Sequence, residues 1–150
     1  MSDSNNVTPL HPPAPKKPFF DPRDPKSLTF LVYGLTVLAF GISLGNQLVN
    51  WIGLGLGVAA LMICASRRDE GAFWARSHFE FVLRTLVIGG AAWTLVSLLG
   101  IVVDLIPLLG KFVILTAKGV IMIWVVARVA VGYLKASDTK VIANPVTWLI

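Results

Sequence analysis

Apolar positions in this chain gather into four runs, at 28–44, 48–66, 86–103 and 112–131. The hydrocarbon core of a bilayer is about 30 Å thick and a helix rises about 1.5 Å per residue, so roughly 17–25 apolar residues cross it. Each run fits that window. The pattern predicts an all-α integral membrane fold, with four transmembrane helices arranged as two hairpins.

Between the second and third runs lies a polar, aromatic-rich stretch at 67–81. Asp69 and Glu70 suit a helix N-terminus, where carboxylates complement exposed amide groups. Phe73, Trp74, Phe79 and Phe81 then stand among Arg76, His78, Glu80 and Arg84. This mixture predicts an interfacial amphipathic segment, a short helix at headgroup level running into the third span. Such aromatics serve either as an ordinary interfacial belt or as a docking surface for a partner or a lipid. The expected division is a flexible proline-rich tail at 1–27, a transmembrane domain at 28–136 and a short tail at 137–150.

Composition sharpens this picture. The 150 residues are 55% hydrophobic and 14% charged, which leaves no room for a separate soluble domain beside four spans. The formal net charge of +5 raises nucleic acid as a partner. No basic stripe with stacking aromatics lies outside the apolar runs, so no nucleic-acid binding is expected. The basic residues instead cluster at alternate ends of the runs: Lys16, Lys17, Arg23 and Lys26, then Arg67, Arg68, Arg76 and Arg84, then Arg128, Lys135 and Lys140. The turn at Gly45, Asn46 and Gln47 has none, and the turn near Pro107 has only Lys111. By the positive-inside rule, both termini and the central segment lie on the cytoplasmic side of a multi-pass inner-membrane protein. The tail lacks the apolar stretch of a secretory signal, so the first span is expected to act as an uncleaved insertion signal. The lone Cys64 sits within the second run and reads as a small packing residue.

Glycines invite a misreading. From Gly55 the chain matches G-x-G-x-x-A, ending at Ala60. A dinucleotide fingerprint needs a preceding strand and an exposed helix start, and neither is expected here. Gly53 and Gly57 are four apart, as are Gly41 and Gly45, and each pair is expected on one helix face, where small residues allow close backbone approach. The packing so permitted is either within the bundle or between copies.

Four ionisable residues touch the runs: Arg84, Asp104, Lys118 and Arg128. Each needs a partner or a route to the interface. Glu80 precedes Arg84 by four residues, the favourable order for a helical ion pair. Glu80, Arg84 and Arg128 are expected to form one interfacial cluster. Lys118 is expected to snorkel or to pair with Asp104. No Cys, His and carboxylate set has metal-ligand spacing, and no nucleophile motif is readable, so no cofactor, metal or catalytic residue is expected.

At Ser77, His78, Phe79, Glu80, Phe81, Arg84 and Thr85 the chain carries the pattern H-F-x-F-x-x-R-T. With Arg67, Arg68, Asp69 and Glu70 before it, Arg128 and Gly132-Tyr133-Leu134 after it, and the ending Asn144-Pro145-Val146-Thr147-Trp148-Leu149, it resembles the Tic-twenty-like superfamily of small four-helix bacterial membrane proteins. The resemblance covers about residues 28–150 and implies a four-helix membrane fold. Most bacterial members form a domain of unknown function, and relatives include a plastid import component and magnetosome membrane proteins. It does not imply one activity. Acidic loops suited to mineral contact are absent, with only Asp104 near the outward tips.

The expected role is therefore a non-enzymatic accessory or scaffold subunit, whose partners are the lipid bilayer and either other membrane subunits or further copies of itself. An oligomeric pore or transport component is the alternative, although Ser43, Thr94 and Ser97 are too few to line a conduit in one copy. The residues expected to matter for structure or interaction are His78, Phe79, Glu80, Phe81, Arg84 and Arg128, with Asn144 and Trp148 anchoring the C-terminal end.

Overall fold

The structure, a computed structural model, describes residues 21, 23–45, 47–69, 71–103, 109–145 and 147. Residues 1–20 of the proline-rich tail, Glu70, Asp104 and Trp148 lie outside the described residues. Those described form four helices: α1 (Pro25–Ile42), α2 (Gln47–Arg67), α3 (Phe73–Val103) and α4 (Leu109–Ser137). All four are long and apolar enough to cross a membrane.

Local chemistry sets where each helix begins and ends. Asp24 caps α1, its carboxylate accepting from the amides of Lys26 at 3.3 Å and Ser27 at 3.4 Å, with Pro25 opening the helix. A capping acid followed by proline is a strong start, because proline has no amide to leave unbonded and its φ is already helical. It places the helix start three residues before the apolar run. Between α2 and α3 the chain needs only a brief connection, in which Gly71 adopts φ +86°. That left-handed conformation suits glycine alone among the neighbouring residues.

The start of α3 takes in the helical part of the expected interfacial segment, which runs directly into the third apolar run. α3 runs unbroken from Phe73 through 31 residues, about 46 Å, and Asp69 lies before it rather than capping it. One face of its first turns is buried, with Ala75, His78, Phe79, Phe81 and Val82 shut away from solvent, while Phe73 and Arg76 are exposed. No proline interrupts the stretch, so nothing separates its aromatic start from its apolar continuation.

α1 packs against all three other helices, and α3 likewise. Among the described residues α2 and α4 make no contact with each other, so they flank the α1–α3 pair on either side. The core joins Val32, Tyr33 and Phe40 of α1 to Phe79, Phe81 and Val82 of α3 and Val125 and Val129 of α4. The outer faces are also apolar, with Trp51, Ile101, Ile123 and Leu134 each more than 60% exposed.

Glycine use follows the same geometry. A Cβ at Gly53 would overlap the Ser43 hydroxyl and lie 2.6 Å from the Ala39 carbonyl oxygen, so Gly53 lets α2 cross α1 closely. Gly57 continues that contact at Ala39. Gly41 and Gly45 do not form a second pair on one face. α1 ends at Ile42, so Gly45 lies in the turn while Gly41 faces Met122 of α4.

Candidate functional site

The polar residues inside this bundle collect at one end, where the starts of α1 and α3 meet the end of α4. His78 is fully buried there, on the inward face of α3. Its Nε2 lies 2.9 Å from the Lys140 carbonyl oxygen and its Nδ1 lies 2.8 Å from the Tyr33 hydroxyl. A carbonyl only accepts, so Nε2 carries a proton. In the neutral ring Nδ1 is then the acceptor and Tyr33 donates to it. One imidazole thus ties α1, α3 and the segment after α4 together. The Trp74 ring stands edge-on to it at 5.8 Å.

Tyr33 reaches this position because α4 carries glycine at 132. A Cβ there would overlap the Tyr33 hydroxyl and press within 2.8 Å of two ring carbons. The close approach therefore depends on a missing side chain.

Arg128 stands one turn before Gly132 and is also fully buried. Its Nε donates to Thr85 Oγ1 at 3.0 Å and its Nη1 donates to the Thr147 carbonyl at 2.8 Å. The guanidinium lies over the Phe81 ring, 4.1 Å from the centroid, with Trp124 at 5.2 Å. A planar cation stacked on a ring and held by two fixed acceptors has one orientation. Thr85 completes the arrangement by donating its own proton to the Phe81 carbonyl at 2.8 Å, which leaves its lone pairs for Arg128.

The anticipated triad of Glu80, Arg84 and Arg128 is therefore not assembled. Glu80 does pair with Arg84 at 2.7 Å, as their spacing allows. Its second cation is Arg68, at 3.0 Å from the end of α2. Arg128 points inward from α4 to neutral oxygens and ring faces, while Glu80 lies on the α3 face that meets α2. Lys118 is not placed against an acid among the described residues, and its Nζ lies 5.2 Å over the Trp93 ring.

What sequence reasoning missed is the segment after α4. At its start, Thr139 (φ 53°) donates to the Ala136 carbonyl at 3.1 Å, and Lys140 donates to the Lys135 carbonyl at 2.9 Å. Those two bonds are a Schellman termination, which reverses the chain. The reversed segment lies over the start of α3. Ile142 enters the core, and its amide donates to Ser77 Oγ at 3.2 Å. Lys26 closes the same end from α1, donating to the Ser137 carbonyl at 2.8 Å, where a cation also meets the negative pole of α4. On the surface, a hydrogen bond from Lys140 holds the Asp138 carboxyl below the usual carboxylate range. Phe79 is core, and Asn144 is exposed, its carbonyl accepting from the Thr147 amide at 3.4 Å.

These features define an all-helical bundle clamped at one end by a buried polar cluster. No family model, curated protein or solved structure matches this chain.

Proposed function

We propose that this chain is a four-span inner-membrane protein with both termini cytoplasmic, acting as a non-catalytic accessory or scaffold subunit of a membrane complex. The observation that carries this reading is the division of the surface. All four helices turn large apolar side chains outward, while the buried His78 and Arg128 lie at the clamped end, where packing uses them. An apolar surface of that extent is stable in hydrocarbon and a liability in water.

The same clamped end holds most of the Lys and Arg of the described residues. Arg67, Arg68 and Arg76 stand within six residues of Phe73 along the chain, and Phe73 is 76% exposed. An exposed aromatic among arginines suits contact with anionic headgroups or with a partner subunit's acidic surface. We retain the Tic-twenty-like resemblance as the family proposal. His78, Phe79, Phe81, Thr85 and Arg128, which carry it, are buried together, so the shared pattern reads as a recipe for the clamp.

The experiment is native mass spectrometry of the tagged protein extracted in mild detergent, alongside reporter fusions at each terminus. A stoichiometric foreign subunit and two cytoplasmic reporters support the proposal. A closed homo-oligomer without a partner favours the pore, and periplasmic reporters reject the topology.

A further inference from the structure

Arg68, Glu80 and Arg84 form a layered cluster across the α2–α3 contact. Both carboxylate oxygens of Glu80 are engaged, Oε1 by Arg84 Nε at 2.7 Å and Oε2 by Arg68 Nε at 3.0 Å. The acid lies beneath its cations: the Glu80 side chain is 17% exposed, against 55% for Arg68 and 38% for Arg84. One carboxylate offsets only one of the two guanidiniums, so the cluster presents positive charge outward. Along the chain Asp69 and Glu70 are matched by Arg67 and Arg76, which leaves that excess in place. Each arginine is held through Nε. Among the described residues neither spends an Nη group on an acceptor. The free Nη edge is the fork that grips two oxygens of a carboxylate or a phosphate.

What lies next on both helices decides the kind of anion. Leu61 stands about two turns before Arg68 on the same face of α2, about 10 Å farther from the clamped end. On α3, Val87 stands about one turn beyond Arg84 and Ala91 about two. All three are exposed. The surface therefore passes from paired cations to apolar side chains over the same short distance on each helix. A free phosphate or an acidic polypeptide would meet the cations and leave the apolar part bare. An anion that carries hydrocarbon covers both.

We infer that Arg68 and Arg84 together bind the phosphodiester of an anionic membrane phospholipid, whose acyl chains lie along Leu61 and Val87. This rests on the membrane reading above, and given that topology the lipid belongs to the cytoplasmic leaflet. A zwitterionic headgroup brings an ammonium of its own against the two guanidiniums, so the site prefers headgroups of net negative charge. Glu80 is a positioning residue, fixing both forks from below so that little side-chain freedom is lost when the phosphate arrives.

The test is native mass spectrometry of the full chain in mild detergent, titrated with phosphatidylglycerol and, in parallel, with phosphatidylethanolamine of the same acyl chains. Saturable binding of phosphatidylglycerol, about tenfold tighter than phosphatidylethanolamine, supports the site. Arg68→Gln and Arg84→Gln are each expected to weaken it about fivefold, and more together. Arg23→Gln removes the same charge from the exposed start of α1 and is expected to change it less than about twofold. Equal retention of the two lipids by the unaltered protein overturns the proposal without any variant, as does an affinity that neither arginine substitution moves. Glycerol 3-phosphate that displaces the lipid at equal concentration would assign the site to free phosphate and overturn the lipid as occupant. Polyglutamate bound through Arg68 and Arg84 in place of the lipid would assign it to a partner's acidic surface, with the same result. A protein that alkaline carbonate strips from its own membranes overturns the membrane reading as well.

Discussion

The Tyr33 hydroxyl and His78 Nδ1 stand 2.8 Å apart across the α1–α3 contact, both side chains shut away from solvent. Because His78 spends its other nitrogen on Lys140, this bond couples α1 to the segment after α4 through one ring. Tyr33→Phe keeps the ring and leaves Nδ1 without its donor. The expected cost is about 1–3 kcal/mol, the penalty of a stranded buried acceptor. Unfolding titrations in mixed micelles would measure it, and a change below about 0.5 kcal/mol would show that the bond contributes little.

Gly132 makes that bond possible, so it should be coupled to Tyr33. Gly132→Ala places a methyl group where the hydroxyl and ring carbons lie. Overpacking of this kind costs about 1–3 kcal/mol. Tyr33→Leu in the same chain frees the space, and the double variant should be less destabilised than the two single effects combined. A double-mutant cycle showing simple additivity would mean that the two residues do not share this space.

Arg128→Lys is expected to behave as a disruptive change. An ammonium cannot hold Thr85 and the Thr147 carbonyl while stacking flat on Phe81. Residues 138–147 should then loosen while the helices persist. Hydrogen exchange would show this as selective loss of protection at the Ile142 amide, which is bonded to Ser77. Equal protection in both proteins would place the anchoring of that segment elsewhere.

Some of this was readable beforehand and some was not, for identifiable reasons. Four helices long and apolar enough to cross a membrane follow from apolar run length alone, which depends on no neighbour. The Glu80–Arg84 pair follows from spacing on one helix. Arg128 was assigned to Glu80 because both lie near the same end of their helices. Which way α4 is rotated decides that choice, and charge positions do not encode rotation. The burial of Phe79 and Phe81 is not legible in 67–81, because it depends on what covers them. The Lys140 and Thr147 carbonyls hold His78 and, over the Phe81 ring, Arg128, and a backbone carbonyl leaves no residue-type signature. Gly132, one turn after a buried charge, and Tyr33, the only tyrosine of the first run, were the available hints.

The turn that brings those carbonyls back also carries a conformation its residue does not favour. Thr139 occupies the left-handed C′ position of the Schellman motif at φ 53°, a position usually held by glycine. A β-branched side chain there crowds the following carbonyl, at a cost of about 1–2 kcal/mol. Glycine relieves that crowding but gives back part of the gain through the greater freedom of its unfolded chain. Thr139 is exposed, and its hydroxyl bonds only its neighbour's carbonyl, Asp138, at 2.7 Å, so little else is lost. Thr139→Gly is therefore expected to stabilise the protein by about 0.5–1 kcal/mol, raising the unfolding midpoint and slowing exchange at Lys140 and Ile142. A destabilisation of similar size would mean that the threonine side chain supports the return of the segment rather than straining it.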